Sequence, residues 1–303
     1  MKLSSRPFWF VLVVALLGPT VAHADIAFVT AGTSIVKWDT ATNSVTPVIN
    51  TGFALDSLIF NTNNDIISSR ISVNQLGSFN GVVDSTFASS PNLGPGVADM
   101  ALEPGGATLL VGNAFGITVS RVNATTGAWV TNLNVGTRPD GIAYDASGNL
   151  FIVLGRNQVA RVNPTTGAVL QALTLPGVAG DADGLTFDSA TGLLYVSKDS
   201  ANGGYWKVPT DLSGAQLVTL GVDIDGLAAN GNLLYLIQRN TRALQVNLAT
   251  DTIALMSPFI SGADDIAPLA GLGSPSPAPE PATLLLLGVG LVGIALRRRG
   301  KPR

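Results

Sequence analysis

The chain has 303 residues, no cysteine, one histidine, and a formal charge of −3 at pH 7 from 17 basic and 20 acidic side chains. Without cysteine there are no disulfide staples and no thiol nucleophile, so stability must come from a hydrophobic core, which a chain of this length can build. Seven basic residues lie at the two ends (Lys2, Arg6, Arg297, Arg298, Arg299, Lys301 and Arg303), leaving 10 against 20 acidic between Asp25 and Pro281; a net −10 argues against nucleic acid and anionic membranes as partners.

The N-terminus reads as an export signal. Lys2 and Arg6 precede an apolar run from Phe8 to Leu17, and Ala22-His23-Ala24 has the small-x-small pattern cut by signal peptidase. Residues 1–24 are read as a signal peptide, with the mature chain starting at Asp25. The apolar run is only about half of the ~20 residues a retained spanning helix needs. His23 is the sole histidine, so cleavage leaves no His-based triad and no His metal ligand.

From Asp25 to about Gly271 the chain repeats. The segments "LDSLIF", "ADMALE", "PDGIAYD", "ADGLTFD", "IDGLAAN" and "DDIAPLA" place Asp56, Asp99, Asp140, Asp183, Asp225 and Asp265 at spacings of 43, 41, 43, 42 and 40, and these aspartates serve as repeat anchors. After Asp140, "GIAYD", "NLFIVL", "QVARVN" and "AVLQALTL" alternate as strands and are separated by "ASG" and "PTTG" turns. The last turn recurs as "NATTG", "NPTTG", "DTATN" and "NLATD", ending at Gly127, Gly167, Asn43 and Asp251. Those residue types tolerate the left-handed backbone of a type I turn with a G1 bulge. One repeat uses Asn80-Gly81 instead.

Antiparallel four-stranded units at this period predict an all-β fold, a β-propeller of four-stranded blades, with an open solenoid of the same units as the rival. The mature N-terminus has three strands, "IAFVT", "SIVKWD" and "SVTPVI", and lacks an inner one; after Asp265 the chain has an inner strand, "DIAPLAG", and little more. Joined, these fragments make a sixth blade and leave no sheet edge open. The propeller thus covers 25–271, and 272–278 form a Pro, Gly and Ser linker.

The tail, 279–303, has three parts: Pro279-Glu280-Pro281, a 15-residue apolar run from Ala282 to Leu296, and a basic stop of Arg297, Arg298 and Arg299 followed by Lys301 and Arg303. As a helix the run spans roughly 22 Å against a hydrocarbon core of ~30 Å, so it crosses only with thinning or snorkelling. The positive-inside rule keeps its end cytoplasmic and everything upstream outside the inner membrane. This arrangement closely resembles the PEP-CTERM sorting signal of exported proteins in Gram-negative bacteria. The resemblance implies transient inner-membrane anchoring facing the periplasm, then cutting by an exosortase and passage to the cell surface or an extracellular polysaccharide matrix. A permanent tail anchor is the alternative.

The repeats, best seen in "PDGIAYDASGNLFIV", resemble the NHL, SMP-30/gluconolactonase and YVTN group of propellers. That group includes sugar lactonases with a metal in the central channel, lyases, and members that only bind partners. The lactonase-like members use a Glu, Asn and Asp set that cannot be matched here position by position. Glu103, the sole glutamate before the sorting motif, reads as a solvated carboxylate facing a turn.

The anchor aspartates are each expected to precede an inner strand, which puts six carboxylates around one mouth of the channel. Asp183, Asp225 and Asp265 are candidate ligands for a hard cation such as Ca²⁺. In the other reading each Asp accepts backbone amides and locks neighbouring blades. Trp38, Trp129, Trp206, Tyr195, Tyr205 and Tyr235 fall in strands and read as packing residues, with Tyr205-Trp206, after Gly203-Gly204, the partly exposed pair. The whole reads as an exported propeller that binds an extracellular polysaccharide or surface protein, with a metal-dependent hydrolase of the lactonase type as the alternative.

Overall fold

The computed structural model describes residues 26–89, 91–177 and 181–268. The signal peptide, the linker at 272–278 and the sorting tail lie outside the described residues. Among the described residues no helix is long and apolar enough to cross a membrane.

Six four-stranded antiparallel sheets form a closed six-bladed propeller. Blade 1 joins the two ends of the domain: its inner strand is Ala263–Pro268, followed outward by Ile26–Ala31, Ser34–Asp39 and Ser44–Asn50. Blades 2 to 6 follow in chain order, each running from the axis outward, with inner strands Leu55–Phe60, Val97–Leu102, Pro139–Tyr144, Ala182–Asp188 and Ile224–Asn230. Among the described residues the only helical element is a single 3-10 turn, Ile71–Val73.

Hairpin chemistry follows the turn residues. Asn123 Oδ1 accepts the Thr125 and Thr126 amides at 3.0 and 2.8 Å, and Gly127 takes a left-handed φ of 70°. Asn43, Gly167 and Asp251 hold the same conformation in other blades, each followed by a register shift in the outer strand pair. Each shift is a separate bulge within the outer strand, a few residues beyond the turn, at Val48, Val130, Leu170 and Ala254.

Six apolar clusters fill the six interfaces between blades. Phe151 and Val153 of blade 4 pack with Leu194 and Trp206 of blade 5, and Tyr235 and Ile237 of blade 6 pack with Trp38 and Ile266 of blade 1. Second strands are buried on both faces, as in Leu150–Leu154, whereas outer strands such as Val169–Thr174 are mostly exposed. A single blade has no partner for its faces, and only stacking covers them.

Two expectations are corrected. Tyr205 and Trp206 are 0% and 1% exposed, so they do not form an exposed pair. The glycines before them mark close backbone approach: a Cβ on Gly204 would lie 2.0 Å from Val218 O. The anchor aspartates also do not precede the inner strands but lie within them.

Candidate functional site

Each inner strand carries a one-residue bulge near its start. In blade 4, Pro139 pairs with Leu154 and Ile142 with Ile152, so three residue steps face two. The same slip occurs at Leu55/Leu58, Val97/Met100, Ala182/Leu185, Ile224/Leu227 and Ala263/Ile266. A bulge re-aims side chains out of the pleat, and here it sets three successive rings around the axis.

The first ring is Asp56, Ala98, Asp140, Asp183, Asp225 and Asp264. The second is Ser57, Asp99, Gly141, Gly184, Gly226 and Asp265. The third is aliphatic: Leu58, Met100, Ile142, Leu185, Leu227 and Ile266. The six anchors are therefore not in register. Asp99 and Asp265 belong one position later than the others, and a one-residue slip changes where a side chain points.

The second ring grips the neighbouring blade. A Cβ on Gly141 would sit 2.4 Å from Leu185 N and 2.6 Å from Asp183 O, so the next inner strand packs directly against it. Where this position has a side chain, that side chain bonds to the next blade. Ser57 Oγ donates to Ala98 O at 3.1 Å, Asp99 Oδ2 accepts from Ile142 N at 2.9 Å, and Asp265 Oδ2 accepts from Leu58 N at 3.1 Å.

The first ring lines the channel mouth, a cavity of about 230 Å³ that also meets Asp99 and Asp265. The aliphatic ring encircles the apolar throat, a cavity of about 340 Å³. Loop arginines offset part of the charge at the mouth. Arg138 holds Asp140 Oδ1 at 2.8 Å, and Arg156 reaches Asp199 at 2.5 Å and Asp183 at 3.1 Å. Arg239 reaches Asp199 at 2.8 Å and Asp225 at 3.3 Å.

The carboxyl groups still outnumber these partners. Burial, then the charges of Asp183, Asp225, Asp99 and Asp140, push Asp56 up to about 8. Burial, then a hydrogen bond to the Asp264 carboxyl, pushes Asp225 up to about 9, while Asp183 and Asp265 are raised well above the usual range, first by burial. Asp199, bonded to Asp223 and Arg156, is held low despite its burial. Three buried carboxylate oxygens accept no hydrogen bond among the described residues: Asp140 Oδ2, on a residue 2% exposed, Asp223 Oδ1, and Asp225 Oδ2, whose nearest cation is Arg239 Nε at 3.3 Å.

Of the proposed cation ligands, Asp183 and Asp225 come together, and their companion is Asp199, with ligand oxygens within 4.8 Å of one another. Asp265 is bonded to the Leu58 amide instead. Arg156 and Arg239 already bind the trio, so its donor set suits guanidinium groups better than a divalent ion. Glu103 is not the solvated carboxylate expected: it accepts hydrogen bonds from Thr108, from Arg121 at 2.7 Å and from Tyr144 at 2.7 Å, joining blades 3 and 4.

Sequence reasoning took Asp265 rather than its neighbour Asp264 as the ring position, and it missed Asp199, the three arginines and Phe115 at the rim. A signal for the first existed: counting back two residues from the aliphatic position selects Asp264, whereas matching on aspartate selects Asp265. Arg156-Asn157 and Arg239-Asn240 also share a dipeptide at equivalent loops.

Residues 277–299 match the PEP-CTERM protein-sorting motif. No curated protein matches the sequence. Similar solved structures include a chain of a nidogen/laminin complex, with a TM-score of 0.66 at 15% identity, covering 81% of this chain and 98% of that one. Virginiamycin B lyase from Staphylococcus aureus gives 0.57 at 13% identity, with 78% and 84% covered. A protein of unknown function from Bacteroides caccae gives 0.63 at 14% identity, with 81% and 98% covered. At these identities the likeness is one of fold. The chain is therefore an exported six-bladed β-propeller that ends in a PEP-CTERM sorting motif, the recognition signal for exosortase.

Proposed function

We propose that the protein is a binding module of the cell surface or extracellular matrix, held briefly in the inner membrane by its tail and passed outward by exosortase. Its ligand site is the channel mouth. The observation that carries this reading is the mouth's chemistry: a concave cavity on a closed ring, lined by carboxyl groups, by the donors of Arg138, Arg156 and Arg239, and by one exposed aromatic ring, Phe115. Such a set recognises a ligand but offers no paired nucleophile and base.

The metal-dependent hydrolase reading has less support. Glu103, the only glutamate among the described residues, is engaged with Arg121 and Tyr144, and the carboxylate trio is engaged with two arginines.

Two measurements test the proposal. Replacing Pro279-Glu280-Pro281 with alanines should leave full-length protein in the membrane fraction, and normal release would overturn the sorting route. The released protein should co-sediment with polysaccharide extracted from the matrix of the producing cells, and the Asp140→Asn variant should do so less. Equal sedimentation of the two would overturn the mouth as the binding site.

A further inference from the structure

The channel has a second opening at the end away from the carboxylate mouth. Two residues beyond the aliphatic ring, the inner strands form a further ring of Phe60, Leu102, Tyr144, Phe187 and Ala229, with Pro268 at the sixth register position. Ala229 stands where blades 2 and 5 place phenylalanine, which leaves a gap in the rim. There the throat, about 340 Å³, meets a vestibule of about 380 Å³ at the first hairpins of blades 4, 5 and 6; Tyr144, Phe187 and Ala229 line both.

The throat is apolar. Between its two rings lie Ala101, Ala143, Ala228 and Ala267, small residues that leave it room. Every polar side chain that meets it is already bonded within the protein. Asp99 accepts the Met100 and Ile142 amides at 2.7 and 2.9 Å, and Asp265 accepts the Leu58 amide. Tyr144 Oη donates to Glu103, and Thr186 Oγ1 accepts the Ala229 amide at 3.3 Å. A buried water needs about three polar partners, so this wall suits hydrocarbon better than water. Three strand steps of ~3.3 Å, from Asp99 to Leu102, make it roughly 10 Å deep.

The vestibule differs. Ser189 and Asn230 line it, and neither side chain makes a hydrogen bond among the described residues. Asp145 and Asp188 line it as well, with no basic side chain beside them among the described residues.

We infer that throat and vestibule together bind a neutral single-chain amphiphile, its alkyl chain in the throat and a hydroxyl or amide head against Ser189 and Asn230. This site is separate from the mouth and does not depend on it. The throat is ringed by all six blades and lies on the axis, whereas the vestibule touches only blades 4 to 6 and lies off it. A ligand that fills both must bend, which a saturated chain does and a fused ring system does not. An anionic head would meet Asp145 and Asp188 without a cation to offset them. A hydroxyl or amide both donates and accepts, as do the serine hydroxyl and the asparagine amide. Each cavity also lies within the ~300–1,000 Å³ of small-molecule sites. The rival occupant is the chain's own tail: the last inner strand ends at Pro268, on this rim, and the apolar run from Ala282 to Leu296 follows in sequence.

The test uses the full chain in phospholipid nanodiscs, photolabelled with an unbranched alkanol that carries a diazirine in its chain, with the labelled residues mapped by mass spectrometry. Label should fall on Met100, Leu185 and Ile266. At equal free concentration 1-octanol should compete about fifteenfold better than 1-hexanol, as two more buried methylenes imply. Octanoate should compete about tenfold worse than 1-octanol. Ala229→Phe fills the gap with a side chain that two other blades already hold there, and should abolish the labelling at an unchanged melting midpoint. Asn230→Ala should weaken competition by 1-octanol about fivefold.

Label that persists in a folded Ala229→Phe variant, or that falls outside the throat, would overturn the inference. So would competition by octanoate or octylamine equal to that of 1-octanol. If Ala229→Phe does not fold, unchanged competition in Asn230→Ala overturns it instead. Labelling of protein released from the membrane but not of the full chain would give the throat to the tail, and the amphiphile assignment would fall.

Discussion

Asp265 Oδ2 accepts the backbone N–H of Leu58 at 3.1 Å, a hydrogen bond that spans 207 positions of the chain. It ties the C-terminal strand of blade 1 to the first inner strand of blade 2, while the Asp265 amide donates to Thr30 Oγ1 at 2.8 Å within blade 1. The residue chosen as a cation ligand from sequence is thus part of the ring's closure. Asp265→Ala should cost about 1–3 kcal/mol in chemical denaturation, the usual penalty for an orphaned buried donor. Asp265→Asn keeps an acceptor and removes a repelled charge, so it should cost clearly less. Equal losses would mean that the Leu58 bond is immaterial.

The buried carboxyls make stability depend on pH. Asp56 is pushed up to about 8 and Asp225 to about 9, in both cases mainly by burial. Against unfolded values near ~3.9, the folded state binds more protons than the unfolded state from about pH 4 to pH 9. Stability is then full below the unfolded value and is lost as pH rises through the folded one. Each group removes up to about 1.4 kcal/mol per pH unit inside its window. With about 1 kcal/mol moving the midpoint of a domain this size by ~2–4 °C, the melt at pH 8 should come several degrees below that at pH 5. A midpoint that rises instead would show these groups ionised in the fold.

Arg70 is 2% exposed and donates to both oxygens of Asp84 at 2.7 Å, with its guanidinium carbon 4.5 Å from the centre of the Phe53 ring. Arg70→Met keeps much of the stem's volume but strands Asp84. The loss should be about 3 kcal/mol, the low end for breaking a buried pair, because Asp84 keeps some solvent. Adding Asp84→Asn should restore part of it, measured as a double-mutant cycle. Strict additivity of the two changes would show that the pair is not coupled.

Deleting residues 25–50 removes all three N-terminal strands of blade 1 and leaves Ala263–Pro268 without its hydrogen-bonded neighbour. Faces of blades 2 and 6 then lose their cover. The truncated chain should lose the single cooperative transition of a closed ring, as followed by calorimetry. A melt like that of the intact protein would mean that blade 1 is dispensable.

The repeat, the blade count and the closing blade were legible in the sequence because their causes are local. Turn residues such as Gly127 and Asp251 select their own backbone conformation, period-2 patterning marks each strand, and three strands at one end complement one at the other. The C-terminal motif was legible for the same reason, being a contiguous string. The mouth was legible only in part. Whether Asp264 or Asp265 faces the ring depends on a bulge, and a bulge is set by the partner strand as much as by its own residues. Arg156, Asp199 and Arg239 meet because three loops from different blades converge at one end of the axis. Nothing within any one repeat encodes that meeting. The burial of Tyr205 and Trp206 was likewise decided by neighbouring blades, which cover faces that a single blade's sequence leaves open. Local chemistry determined the units of this protein, and the ring's long-range packing decided which side chains meet at its centre.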